Sequence, residues 1–225
     1  MATDGQSRHA RLSRGWFVLG ALYAVFFFWY TPFGGPLSDE EIAHYTEILV
    51  RFPESRDHSE RWIRFMESDT GNDFAMWNAV DLLDTPRPVE GVDPGDTSQE
   101  VVDRYAEPFF TRALMRASHP VMGGSAASTA LDIWGIEGGE DWETGLLVRY
   151  RSRRDIMETM EEMLTSGAKI HSFKVAAVEK TIAFPLDPWS HPGDPRLLLA
   201  LVFIVLGLLM QLRHNARSDS PTRDR

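Results

Sequence analysis

Two hydrophobic periodicities take turns along this chain, and their order predicts its fold. In the stretch WETGLLVRYRSRRDIMETMEEM, from Trp142 to Met163, Leu146, Val148 and Tyr150 alternate with Leu147, Arg149 and Arg151. Period two is the mark of a strand with two distinct faces. Ser152 stands where a helix N-cap belongs, with Asp155 three residues on, and Ile156, Met157, Met160, Met163 and Leu164 follow at helical spacing. Upstream, FAMWNAVDLLD puts Phe74, Met76, Asn78 and Val80 on one side of a strand and Trp77 and Ala79 on the other. A loop rich in Pro, Gly and Asp over 85–97 leads into an amphipathic helix over 98–118, which Pro108 is expected to kink. Val121 to Gly124 reads as a turn or short edge segment, Leu131 to Ile136 as the second strand, and Gly138-Gly139 as the turn into the third. His171 falls in a loop, and Lys174 to Phe184 reads as a fourth strand stopped by Pro185.

The resulting order over residues 71–190 is β-α-β-β-α-β. That is an α+β domain of the ferredoxin-like plait type, a four-stranded antiparallel sheet with two helices on one face. Yet the strands are apolar on both faces. A second copy of the same sheet would cover the uncovered side, giving a homodimer across a two-fold axis.

Two further stretches are apolar without any stripe. Trp16 to Phe33 carries no charge, and 18 helical residues span about 27 Å, close to a bilayer core. Trp16, Trp29 and Tyr30 lie near its ends as an aromatic belt does. A cleaved signal peptide is the rival reading, against which stand the bulky aromatics at its end. Leu197 to Gln211 is the second, extended to 212 as a span, with a buried core helix as its rival. Residues 34–70 between the first span and the domain read as a helical connector, with Ser38 and Glu41 as a capping box and a second helical piece over 59–67.

Charge changes the picture from a fold to a placement. Residues 34–195 hold 15 Lys and Arg against 30 Asp and Glu, while residues 1–15 and 213–225 are basic tails. Such an acidic middle argues against nucleic-acid binding. By the positive-inside bias, both tails belong in the cytoplasm, and residues 34–195 on the periplasmic or extracellular side of the cell (inner) membrane. The chain has no cysteine, which excludes thiolate chemistry and Cys-ligated metals. Its sequence contains no phosphate-loop, dinucleotide, zinc-protease or nucleophile-elbow motif.

The run Glu67-Ser68-Asp69, Phe74, Met76, Asn78, then RALMRASHPVMGG, DIWG, DWETGLLVRYRSRRDIMETM and AAVEKTIAFP, resembles an uncharacterised, membrane-anchored branch of the dimeric α+β barrel superfamily over about residues 60–187. VRYRSRRD and EKTIAFP are the most specific parts. The resemblance implies a paired barrel, but the superfamily mixes quinone-forming monooxygenases, haem-degrading enzymes, isomerases and proteins without known activity, so it selects no reaction. Relatives that use an Asn on the first strand make Asn78 a catalytic candidate, beside a plain structural amide. His119 is a second candidate, beside a helix-end His facing free carbonyls. Arg149 and Arg151 share a face and could clamp an anion, beside ion pairs with Asp81, Glu143 and Glu179. Arg153 and Arg154 extend that basic run, and Lys180 is read as ion-paired. Asn78, Trp134, Arg149 and Arg151 are the candidate ligand-binding residues, with Asn78, His119 and Arg151 as the candidate catalytic set. No cofactor and no metal are expected. Two functions follow as expectations. One is a membrane-tethered, non-catalytic module that binds a small molecule or a partner. The other is a cofactor-independent monooxygenase or haem-processing enzyme, with Asn78, His119, Trp134 and Arg151 around a barrel cavity.

Overall fold

The computed structural model describes residues 13–52, 58–166, 170–189 and 193–218. The chain divides into two compact units, Thr31–Trp189 and a pairing of Met1–Tyr30 with Ser190–Arg225. Most of both basic tails lies outside the described residues.

The larger unit is mixed α+β. Its elements are α2 (Asp39–Arg51), α3 (Ser59–Glu67), β1 (Phe74–Leu82), α4 (Ser98–Met115), β2 (His119–Ser125), β3 (Thr144–Tyr150), α5 (Arg153–Thr165), α6 (Ile170–Ala177) and β4 (Val178–Leu186). Side chains start three of the helices. The Ser38 and Thr97 hydroxyls each accept from the backbone N–H of the N3 glutamate, Glu41 or Glu100, which bonds back to the cap's own N–H. Ser152 accepts from the Asp155 N–H at the start of α5. Helix α4 runs on through Pro108 to Met115, and just past its cap Ala117, with a φ of 54°, makes a left-handed stop without glycine.

The strands form one antiparallel sheet in the order β2-β3-β1-β4. Phe74 and Met76 of β1 and Val148 and Tyr150 of β3 point into a core shared with Phe109 and Ala113 of α4 and Ile156, Met157 and Met163 of α5. Tyr45, Ile48 and Leu49 of α2 and Met66 of α3 join the same core. The segment read as a connector therefore belongs to the helical layer.

Two strands lie elsewhere than the pattern suggests. β2 is His119–Ser125, with a register shift between Pro120 and Met122, and not Leu131–Ile136. An edge strand with a neighbour on one side alone tolerates Gly123 and Gly124, because the backbone makes the ladder. Leu131 to Ile136 instead sits on an arm over 126–143. The arm prolongs the β2–β3 hairpin through Ala126 N–H to Glu143 C=O and Ala130 N–H to Glu140 C=O, both at 2.7 Å. At the other end, Lys174–Ala177 is the last turn of α6, and β4 starts at Val178. The turn stays helical because its free carbonyls are used: Ala177 and Ala176 accept from the N–H groups of Leu83 and Arg87 at 2.9 and 2.8 Å.

The smaller unit pairs α1 (Arg14–Tyr30) with α7 (Pro195–Ser218). The Ser13 N–H donates to Gln211 Oε1 at 2.9 Å and the Tyr23 hydroxyl to the Arg196 carbonyl at 3.2 Å, so the helices run antiparallel. Gly207 lets the Trp16 ring lie against it, since a Cβ there would meet the ring at 2.6 Å. Of the two spans expected, one helix among the described residues, Pro195–Ala216, is long and apolar enough to cross a membrane; Arg14–Tyr30 is a shorter apolar helix. Its end at Tyr30, and not Phe33, follows from Pro32, which disfavours helical backbone at Thr31.

Candidate functional site

The sheet face turned away from the helices has an ordered chemistry. One row across all four strands is Met122, Leu147, Trp77 and Phe184. The next is Gly124, Gly145, Ala79 and Ile182. Met122, Ile182 and Phe184 are exposed, and so is Leu186 beside Ala75. The small residues of the second row leave a hollow of about 570 Å³ walled by Trp77, Met122 and Trp142. Gly145 keeps the contact loose there, because a Cβ would stand 3.3 Å from the Trp77 ring and the ring would have to give by a few tenths of an ångström. At one end of the face Lys180 meets Asp81 at 3.4 Å, lies 5.1 Å from the Trp142 ring centroid and donates to the Gly138 carbonyl. The arm adds Leu131 and Trp134, 93 % and 85 % exposed.

The candidate residues do not converge. Asn78 shares the helix side with Met76 and spends its amide N–H on the carbonyls of Met76 and Leu146 at 3.0 and 3.3 Å. His119 pairs in register with Arg149 on the opposite face, and its Nδ1 lies 2.9 Å from the Pro120 carbonyl. The Trp134 indole N–H donates to Asp132 out on the arm.

The arginine run is a set of structural ties, with partners other than those expected. Arg149 is buried and donates to the Ala117 carbonyl at 2.8 Å and to Asp73 at 2.8 and 3.2 Å. Arg151, past the end of β3, holds Asp155 at 2.5 Å. Arg153 stacks over the Phe65 ring at 4.4 Å and bonds the Phe65 carbonyl and Ser68. Arg154 grips Glu41 at 2.5 and 3.0 Å and the Pro36 carbonyl at 3.1 Å. The Arg154 guanidinium, opposed by partial burial and helped by the Ser38 N–H, holds the Glu41 carboxyl down at about 2. Arg153 and Arg154 thus fasten α5 to α3 and to the entry of α2.

A polar group that the periodicity hid lies on the helix side. Lys174 of α6 sits 5.6 Å from the Tyr105 ring centroid, and His171, one turn back, meets the same ring edge-on at 5.8 Å. Tyr105 stacks on Phe109, and Tyr150 on Phe74. Burial pushes both phenols up, the Tyr150 one further because of nearby Tyr105, and pushes the Lys174 ammonium down. Reading Lys174 as the start of a strand concealed this; an i, i+3 His/Lys pair was the available signal.

Among the described residues, no group of three or more His, Cys, Asp or Glu could hold a metal ion. No family model and no curated protein matches this chain. Among solved structures, the methylated protein RPA0582 is similar at 21 % identity, over 60 % of this chain and 93 % of that one, with a TM-score of 0.49. RPA0582 from Rhodopseudomonas palustris, described as a protein of unknown function, is similar at 20 % identity, over 59 % and 94 %, with a TM-score of 0.47. A likeness at that level carries no argument about function.

Proposed function

We propose that this protein is a membrane-tethered interaction or small-molecule-binding module, whose open sheet face pairs with a second copy of itself. The observation that carries the reading is the row Met122, Leu147, Trp77 and Phe184, apolar across four strands on the face its own helices leave bare. Burying such a face stabilises by about 25 cal/mol for each Å² of apolar surface, and an exposed apolar patch marks an interface. The strand order, with α4 and α5 on one side, supports the ferredoxin-like plait in its paired, barrel-forming version.

Charge favours a second copy as the partner. The face's Lys180 is matched by Asp81, and Arg149 by Asp73, within an otherwise strongly acidic unit. Two such bodies repel except across a face of this kind, and a two-fold contact closes on itself. Anchoring all copies in one bilayer raises their effective concentration. We place both α1 and α7 across the inner membrane, with both termini in the cytoplasm and residues 34–195 outside. The apolar Pro195–Ala216 helix, the exposed apolar flanks of α1 and the basic tails support that placement. The enzyme reading needed Asn78, His119, Trp134 and Arg151 around one cavity, and no arrangement of that kind favours it.

The test is the mass of the full chain in mild detergent, by light scattering. A dimer is expected for the wild type, and a monomer for Phe184→Asp combined with Met122→Asp, since each pairing would bury four carboxylates. A monomeric wild type at micromolar concentration, or a variant that still pairs, overturns the reading.

A further inference from the structure

The arm over 126–143 exposes its apolar side chains more fully than the open face does: Leu131 and Trp134 stand at 93 % and 85 %, against 60 % for Met122. Two backbone bonds prolong the hairpin as far as Ala130 and Glu140, and beyond them the loop turns back toward the sheet. Lys180, opposite Asp81 at the end of the open face, donates to the Gly138 carbonyl at 2.6 Å. The Trp142 indole N–H donates to the Gly139 carbonyl at 3.0 Å. These bonds hold the loop as a rim at one end of the open face, beside the hollow that Trp77, Met122 and Trp142 wall. Area shows why a pairing of two faces needs that rim. The face runs six residue steps from Ala75 to Asp81 across four strands. That is roughly 20 Å by 19 Å, or about 400 Å² in each copy. Two such patches bury about 800 Å², short of the roughly 1,200 Å² at which stable interfaces begin. The hollow deepens the deficit, since flat faces laid together would leave its space of about 570 Å³ empty, and the cores of interfaces are packed as densely as protein interiors.

We infer that each arm crosses to a second copy of this chain, where Trp134 and Leu131 seat in the hollow between Trp77, Met122 and Trp142. The occupant is a second copy because the rim borders the face that pairing covers, and a two-fold contact gives both arms the same seat. An indole suits that seat. The wall offers two indoles for offset or edge-on contact, and the small floor of Gly124, Gly145 and Ala79 lets a large ring come close. Each Trp134 seated in this way adds roughly 200 Å² of its own surface, with a comparable share of the wall it covers, so two arms carry the contact past the threshold. The hollow is therefore a site that one copy leaves incomplete and the other fills. The inference rests on the pairing of open faces proposed above and names the residues that lock it.

The experiment joins two full-length chains that carry different tags and are co-expressed and held in mild detergent. One carries Leu131→Cys and the other Ser125→Cys, a residue that lines the hollow. The chain has no cysteine of its own, so a short bis-maleimide can link only these positions. A product bearing both tags is expected. Replacing Ser125→Cys by Gln99→Cys, on the exposed side of α4, should abolish it. In a second measurement, Leu131→Ala combined with Trp134→Ala should weaken the dimer at least about 100-fold on dilution, because each substitution counts twice in a two-fold contact. Its melting temperature as a dilute monomer should match that of the wild type, since both side chains are exposed in one copy. A wild type that pairs without the doubly tagged product, or gives as much of it with Gln99→Cys, overturns the arm exchange and leaves the sheet pairing standing. So does a Leu131→Ala, Trp134→Ala chain that dissociates no more readily than the wild type. A monomeric wild type overturns both.

Discussion

Arg149 alternates with core residues on a strand, so the pattern alone makes it look available to a ligand. In the structure its Nε and Nη2 donate to Asp73 and its Nη1 to the carbonyl of Ala117, the left-handed residue just past α4. The expected partners were nearby acids, Asp81, Glu143 and Glu179, on the argument of proximity. Register defeats that argument: Arg149 lies opposite Ala75, whereas Asp81 lies opposite Lys180, six residues and about 20 Å further along β1. Alternation tells which face a residue takes and is silent about where along the face it stands. Arg149→Ala should destabilise the protein by about 3 kcal/mol, the low end for a broken buried pair, because Asp73 at 24 % exposure can still hydrate. Thermal melting in detergent should fall by roughly 6–12 °C. A drop of less than 2 °C, by the same scale roughly half a kcal/mol, would show that the tie to Ala117 contributes little.

At the scale of elements, what could be read early was whatever the local pattern closes on itself. The Ser38/Glu41 and Ser152/Asp155 starts, the first and third strands and helices α4 and α5 all announce themselves by caps and periodicity. β2 did not, because HPVMGGS owes its strand state to pairing with β3, and α6 did not, because its last turn is held by the loop after β1. The group around Tyr105 was hidden in the same way: the i, i+3 spacing of His171 and Lys174 lies within α6, but their meeting with the Tyr105 ring of α4 depends on helix packing. Glu41 shows how far a cap reaches: it completes the box with Ser38 and receives Arg154 from α5. Its folded-state value near 2 lies below the 4.5 of a free glutamate. A depressed carboxyl contributes stability that is fully present above about pH 4.5 and is lost as pH falls toward 2. The carboxylate is one-third exposed, so solvent screening reduces the effect to about 1 kcal/mol. Glu41→Gln should therefore be about 1 kcal/mol less stable than the wild type at pH 6, and the gap should close near pH 2. Parallel pH–stability curves for the two proteins would mean that the Arg154 contact does no more than the exposed pairs of α2.

For the molecule as a whole, the reading depends on two apolar surfaces of different kinds. The sheet face is apolar in rows and flanked by matched charges, as an interface between proteins is. The α1 and α7 surfaces are apolar with no such order, as lipid contact requires. The same contrast was visible beforehand, in alternation with charges on one side and charge-free runs on the other. What the runs could not show is that α1 and α7 face each other, which depends on Gly207 leaving room for Trp16. That contact matters for an anchor, because between helices in lipid there is no hydrophobic drive, and close packing must supply the association. The chain has no cysteine, so a designed pair reports this cleanly. Ser13→Cys with Gln211→Cys should form a disulfide within one chain in isolated membranes, seen as a faster-running monomer band on a non-reducing gel. Adding Gly207→Leu should remove most of that band, since the new side chain would begin 2.6 Å from the Trp16 ring. If the first pair gives no such band, or dimer bands alone, α1 and α7 of one chain are not partners. The anchor would then be two separate helices, each meeting the bilayer or a neighbouring chain by itself, and the short α1 would lose the support that makes it a credible span.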